Sequence, residues 1–453
     1  MNRISIPLTL WVVLAFPHAG HVHGGEAVAL RAIKAEKIYV GNGQTIDNGI
    51  ILIRNGHISA VGCNVAIPAG TSVIEIADGS ITPGLIDANS RIETINLIAP
   101  SRKGLDRHMH VDDRERVSEN TAGLAVGVRA NHVISEQGSE VVPHTLVLDG
   151  LNLGSGDFDR LLRGGVTTVY ASPDPSCVIS PRGAILHTGG PRDKRVLVPA
   201  AAVKATIGSE PSSFGNNNRQ PRRSSVSMYA RRPNSRMGLT WVFRKAFYDA
   251  IRRGRGIEAY GADTADPQAS AVLRDVLGGK VGLRIQARIQ QDILTALRLA
   301  DEFKLKFTLE EGTEAYRCIE ELKAASVPVI FGPIYEQPTG IRARSREARR
   351  SRYWTFRALV EAGIPTALSA QELREEDGLA RQAMYAMRFG VGFDDALRAV
   401  TDTPARLLGL DGQLGTIEPG KRADLVIWKG RPLAATSIIE AVLIDGNVVM
   451  DRR

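Results

Sequence analysis

The sequence predicts a (β/α)8 barrel with a small β-sandwich built from both chain ends, and two observations carry that reading. The middle of the chain alternates short apolar, β-branched runs with stretches whose apolar residues recur at three- and four-residue steps. Both ends read instead as short strands joined by tight turns. With 453 residues, 43% of them hydrophobic, the chain can bury a large core and more than one domain. A doubly wound open sheet is the alternative. No Gly-x-Gly-x-x-Gly follows an early strand, which weighs against dinucleotide binding.

In chain order, the start pairs one basic residue, Arg3, with an apolar run to Phe16, and a polar, small-residue stretch follows from Pro17 to Glu26. That run is too short to span a bilayer, and its layout is that of a secretory signal peptide over about residues 1–25, implying export to the periplasm or beyond. A buried N-terminal strand is the competing reading. Nothing further along reads as transmembrane. The first part of the sandwich is expected over 26–80. Within it, Lys37–Val40, Gly49–Arg54 and His57–Val61 read as strands, with Asn55-Gly56 as the hairpin turn between the last two. Ile81–Arg91 reads as the first barrel strand, opening a barrel expected over 81–410. Arg102–Pro143 is polar and charged and reads as an insertion.

Further on, Val166–Tyr170 is a strand after Gly164-Gly165, and Ser212–Arg236 is read as a loop. Val281–Ile285 leads into a helix carrying Ile293, Leu297, Ala300 and Phe303 on one face. Phe307–Leu309, Val327–Phe331 and Pro365–Leu368 continue the strands, with helices running through Leu322 and Ala362 between them. The second part of the sandwich is expected over 411–453, where Ala423–Trp428 and Ala441–Met450 are β-like and Asp445-Gly446 marks a second hairpin.

The net charge of +8 is local. Six arginines and no acid lie between Arg219 and Arg236, and seven arginines against Glu347 lie between Arg342 and Arg357, so the rest of the chain is net acidic. The aromatics of these segments are Tyr229 and, at the end of the second, Tyr353, Trp354 and Phe356, and neither segment is read as a stacking platform for nucleic acid. They are solvated loops or a positive rim. Cys63, Cys177 and Cys318 are odd in number and widely spaced, and make neither a disulfide framework nor a cysteine-rich zinc site.

The closing segment Leu410-Asp-Gly-Gln-Leu-Gly-Thr-Ile-Glu-Pro-Gly-Lys-Arg-Ala-Asp-Leu-Val-Ile-Trp428 strongly resembles the C-terminal signature of the amidohydrolase superfamily. Ala396–Gly409 resembles the helix that precedes it. Ser235-Arg-Met-Gly238, Arg244–Phe247, Gln291–Phe303 and Glu311–Tyr316 resemble stretches of the imidazolonepropionase-like exported branch. The resemblance runs from about Ala35 onward. It implies hydrolysis of amide, lactam or imine C–N bonds, with one or two metal ions, usually zinc, activating a water at the barrel mouth.

At the ligand positions that the resemblance supplies, this chain departs from the family. Pro83-Gly-Leu-Ile-Asp-Ala88 is followed by Asn89 and Arg91 where the family has His-x-His. Gln286 and Arg288 replace a His-Ala-His pair, Glu311 stands at a later histidine, and the aspartate of the eighth strand falls at Gln371. The nine histidines give the same answer without any alignment, because none lies beyond His187. A metal site built of histidines cannot form from the later strands, and no metal cofactor is expected.

These six replacements should converge at the barrel mouth. An unpaired arginine there is costly, and Glu311 is the natural partner of Arg91 or Arg288. Two readings stand side by side: a self-satisfying salt-bridge network, or a pocket that takes a small anionic ligand on Arg91 and Arg288. His108-Met-His110-Val-Asp112-Asp113 reads as surface histidines, and Ser176-Cys177 has no legible triad partner. Three functions follow: a catalytically altered or inactive relative, a C–N hydrolase with an unconventional site, or a scaffold that assembles with itself or with an active paralogue.

Overall fold

The computed structural model describes residues 30–92, 139–211, 233, 235–258, 265–334, 347, 352–374 and 378–453. The segment expected as a signal over 1–25, most of the insertion expected over Arg102–Pro143 with its His108–Asp113 cluster, and most of both arginine-rich segments lie outside the described residues.

Four strands from the N-terminal side, β1 (Leu30–Tyr39), β2 (Thr45–Arg54), β3 (His57–Gly62) and β4 (Ser72–Pro83), share one sheet with three from the C-terminal side, β15 (Leu425–Lys429), β16 (Ile438–Ile444) and β17 (Asn447–Asp451). The order β17-β16-β15-β4-β1-β2-β3 places the joint between the two chain ends at the antiparallel β15–β4 pair. Both expected hairpins are present. Asn55 and Gly56 sit at φ 51 and 83, and Asp445 and Gly446 at φ 50 and 70, so each turn has positive φ at both central residues, as the twist of a two-residue hairpin requires. The sheet curls until these turns meet. Gly446 donates its N–H to Ala423, Ala423 donates to Gly56, and Ile33, Ile53, Ile58, Leu425, Ile427 and Leu443 share one apolar core.

Five strands form a parallel ladder in the order β10 (Val203–Thr206), β11 (Leu283–Ala287), β12 (Phe307–Glu311), β13 (Val329–Phe331) and β14 (Thr366–Leu368), with β7 (Ile179–Arg182) antiparallel at its edge. A second ladder pairs β5 (Leu85–Ser90) in parallel with β6 (Val166–Ala171), followed by β8 (Ala184–His187) and β9 (Val196–Val198). β14 and β5 meet at their C-terminal ends. There Ser369 Oγ donates to the Asn89 carbonyl (2.8 Å), and the Ala370 N–H donates to Asp87 (3.1 Å).

One boundary of the expected first barrel strand is corrected. Ile81–Pro83 belong to β4, paired with β15, and the next strand, β5, starts at Leu85. Gly84 is the break: a Cβ there would fall 2.1 Å from the Thr167 hydroxyl, so only glycine lets the chain pass from one sheet to the other.

Nine α-helices are described: α1 (Gly156–Arg163), α2 (Arg236–Gly254), α3 (Pro267–Leu277), α4 (Gln290–Phe303), α5 (Ile319–Ala324), α6 (Thr355–Glu361), α7 (Leu379–Arg388), α8 (Phe393–Arg398) and α9 (Asp402–Leu407). The loop expected over Ser212–Arg236 is shorter at its end than expected. Ser235 accepts a hydrogen bond from the Gly238 N–H and starts α2 at Arg236. Asp266 caps α3 in the same way ahead of Pro267. The helices pack on the outward face of the parallel ladder. Ile285, Leu309 and Phe331 there meet Phe247, Ile293 and Phe356 in the main core.

Candidate functional site

Parallel strands buried on both faces normally read as unbroken apolar runs. Three strands here break that rule on one face. In register, Lys204, Arg284 and Thr308 lie side by side across β10, β11 and β12, and Thr206, Gln286 and Glu310 form the next row toward the C-terminal ends. All but Thr308 are buried.

The deeper part of this face is one ionic cluster. Glu310 takes Arg284 Nε at 2.5 Å and pairs with Lys204 Nζ at 2.9 Å. Arg284 also donates to the Ala88 carbonyl and lies over the Tyr170 ring, 3.7 Å from its centroid. Lys204 donates to Ser172 Oγ at 2.9 Å. Burial opposes ionisation of Glu310, but Lys204 and Arg284 outweigh it and hold the carboxyl below its ordinary range. Burial pulls the Lys204 ammonium down, and Glu310 offsets only part of that.

The six positions singled out in the sequence are all buried: Asn89, Arg91, Gln286, Arg288, Glu311 and Gln371. Glu311 ends β12 in the left-handed region (φ 68). Arg91 Nη2 and Arg288 Nη2 each donate to Glu311 Oε1 at 3.1 Å, and Arg288 Nε donates to Oε2. Arg288 also pairs with Glu210, and Arg91 Nη1 reaches Glu372 at 3.4 Å. Burial works against the charge on Arg91, but Glu372 and Glu311 more than restore it. Gln371 (φ 54) accepts the Arg91 N–H on its carbonyl and donates Nε2 to the Gly332 carbonyl. Arg374 donates to the carbonyls of Gln371 and Arg91, and burial pulls it down to about 10.

The structure therefore brings Arg91, Arg288 and Glu311 into direct contact and ties Gln371 to Arg91 through the backbone. Asn89 and Gln286 join no pair: both atoms of each side-chain amide lack a hydrogen-bond partner, as does the Thr206 hydroxyl. Two arginines face three carboxylates, so an anion reaching this spot would have to displace Glu311 or Glu210. The rest of the machinery escaped the sequence reading: Lys204, Arg284, Glu310, Glu210, Glu372 and Arg374. The alternation Leu-Arg-Ile-Gln-Ala-Arg over 283–288 was the signal, because a polar residue at every second place marks one face of a strand.

Whether these residues suit a catalytic metal ion is decided by their chemistry. A first-row ion needs neutral imidazole, thiolate or carboxylate donors with one position left for water. Among the described residues no three His, Cys, Asp or Glu side chains come together to hold an ion. Glu311 is already shared by two guanidiniums, which cannot ligate and would repel a cation. The residues do not fit the group. His187 is no substitute, since it pairs with Asp424 at 3.1 Å and ties β8 to the terminal sheet. Ser176 Oγ bonds Asp174 at 2.5 Å, and Cys177 Sγ contacts the Ser139 carbonyl.

Comparison with known proteins agrees with this architecture. The Amidohydrolase family model matches residues 285–450. The chain is 25% identical over 393 residues to an imidazolonepropionase of Sphingopyxis alaskensis, covering 84% of this chain and 87% of that protein. It is 22% identical over 350 residues to amidohydrolase tasK of Hapsidospora irregularis, where the match covers 72% of this chain and spans only 34% of the larger protein. The crystal structure of an amidohydrolase from Thermotoga maritima superposes with a TM-score of 0.74 at 26% identity, covering 93% of this chain and all of that one.

Proposed function

The chain belongs to the amidohydrolase superfamily, and from that premise we propose that it is a metal-independent member whose catalytic ion has been replaced by a buried arginine–glutamate network, so that metal-assisted hydrolysis of C–N bonds is lost. The two ladders are then arcs of one (β/α)8 barrel, and the cluster around Glu311 fills its mouth. One observation carries the reading: Glu311 is shared by Arg91 and Arg288 with all three side chains buried. The residue pattern at 1–25 supports export.

Metal analysis of the purified protein after dialysis is the test. The expected result is far less than one ion per chain, together with no gain of C–N hydrolysis when zinc is added. Stoichiometric zinc, iron or manganese, or a hydrolase activity abolished by chelation, overturns the proposal.

A second reading rests on a specific contact. Lys204 donates to Ser172 Oγ at the end of β6, and burial holds its ammonium below the ordinary lysine range. A serine beside such a lysine is the arrangement of metal-free acyl transfer, in which the amine takes the hydroxyl proton. Chelator-resistant amide or ester hydrolysis, lost in both Ser172→Ala and Lys204→Met, would favour this reading over an inactive centre.

A further inference from the structure

The helix α2 buries one face and leaves a chemically mixed one open. Leu239, Phe243, Ala246, Phe247 and Ala250 are buried in the main core, against α3 and Phe303. On the other side Met237 is 80% exposed, Trp241 63% and Tyr248 48%. Steps of four and seven residues return to the same side of an α-helix, so these three form one line, which Arg255 at the helix end continues. The line runs about 27 Å at 1.5 Å per residue. Arg244, Lys245 and Arg252 flank it, and Ile257, 46% exposed, lies just beyond it.

Of the six basic residues from Arg236 to Arg255, Arg236 pairs with Asp292 and Glu347, Arg244 with Glu302 and Lys245 with Asp249, so the positive surplus is concentrated at the helix end, on Arg252, Arg253 and Arg255. Tyr248 is held in place by its hydroxyl bond to Glu302 and by packing on Phe303. Contiguous exposed apolar side chains with a basic rim mark a docking surface. Trp and Tyr are the residues that settle at the boundary between headgroups and acyl chains, and arginines beside them are attracted to anionic lipid.

We infer that the Met237–Trp241–Tyr248 face of α2, with Arg252 and Arg255, docks the protein on the surface of an anionic phospholipid bilayer. Among the described residues no helix is long and apolar enough to cross a membrane, so the attachment is peripheral. It is independent of the chemistry at Glu311.

The test is sedimentation of the full-length protein with vesicles of phosphatidylcholine alone and of phosphatidylcholine mixed with phosphatidylglycerol. Binding is expected only to the mixed vesicles, with release by salt. Trp241→Ser is expected to weaken it severalfold. Arg252→Glu with Arg255→Glu is expected to weaken it by roughly tenfold or more, since each basic residue near an anionic surface contributes about fivefold. Ile438→Ser, at an exposed position of β16 (53% exposed), should leave binding unchanged, and all variants should melt with the wild type. No binding to the mixed vesicles, equal binding to neutral ones, or binding unaffected by both α2 variants overturns the inference.

Discussion

Where β1, β2 and β15 face one another, the buried side chains are Ile33, Ile38, Ile51, Leu425 and Ile427, and their ionic pairs, such as Lys34–Glu75, stay in solvent. The polar face of β10–β12 is built the other way, with Lys204, Arg284, Gln286 and Glu310 all buried. The terminal sheet gains stability from apolar area removed from water. The cluster on the parallel ladder gains little from being ionic, because desolvation offsets most of the attraction between paired charges. Such a centre persists for reasons other than stability.

That contrast can be broken by mutation. The largest effect should come from Glu311→Leu, which leaves Arg91 and Arg288 buried without their shared carboxylate. Urea unfolding should show a loss of about 3–5 kcal/mol. Replacing Arg91, Glu210, Arg288 and Glu311 together with apolar residues of similar volume should regain most of it, and a multiple variant as unstable as the single one would refute the contrast. Next, Ile427→Ala in the terminal sheet should cost about 3 kcal/mol through lost burial and a cavity, with a deficit that stays constant across pH.

A smaller, pH-dependent effect belongs to Glu310. Its carboxyl is held below the ordinary range in the folded protein, so its contribution is present above the unfolded glutamate value near 4.3 and is lost as pH falls through the lower folded value. Thermal melts of Glu310→Gln should therefore lie below wild type at neutral pH and converge toward it in acid; parallel curves would remove Glu310 from the account. Smallest of all, Lys34→Ala should change stability by no more than about 0.5 kcal/mol, since exposed pairs contribute little.

Much of the scaffold could be read from local signals. Asn55-Gly56 and Asp445-Gly446 name their own turns because only such residues adopt positive φ twice in succession cheaply. The helix Gln290–Phe303 follows from the spacing of Ile293, Leu297, Ala300 and Phe303. The β4–β5 boundary was misplaced because Ile81–Asp87 is apolar almost throughout, and the passage at Gly84 is set by Thr167, some eighty residues away. At the site, Asn89, Arg91, Gln286, Arg288, Glu311 and Gln371 were singled out only through the family resemblance. Glu310 was missed because its neighbour Glu311 held the aligned place.

The sequence by itself determined the alternation of strands and helices, the two hairpins, and the absence of histidine beyond His187, since each depends on residues close in the chain or on composition alone. Tertiary structure alone decided that Arg91 and Arg288 converge on one carboxylate, that Lys204 and Arg284 share the other, and that Asn89 and Gln286 pair with neither. These partners lie up to 220 residues apart. Which charge meets which is fixed by strand register and by the left-handed turn at Glu311, and in a buried site that geometry sets the balance between desolvation and attraction.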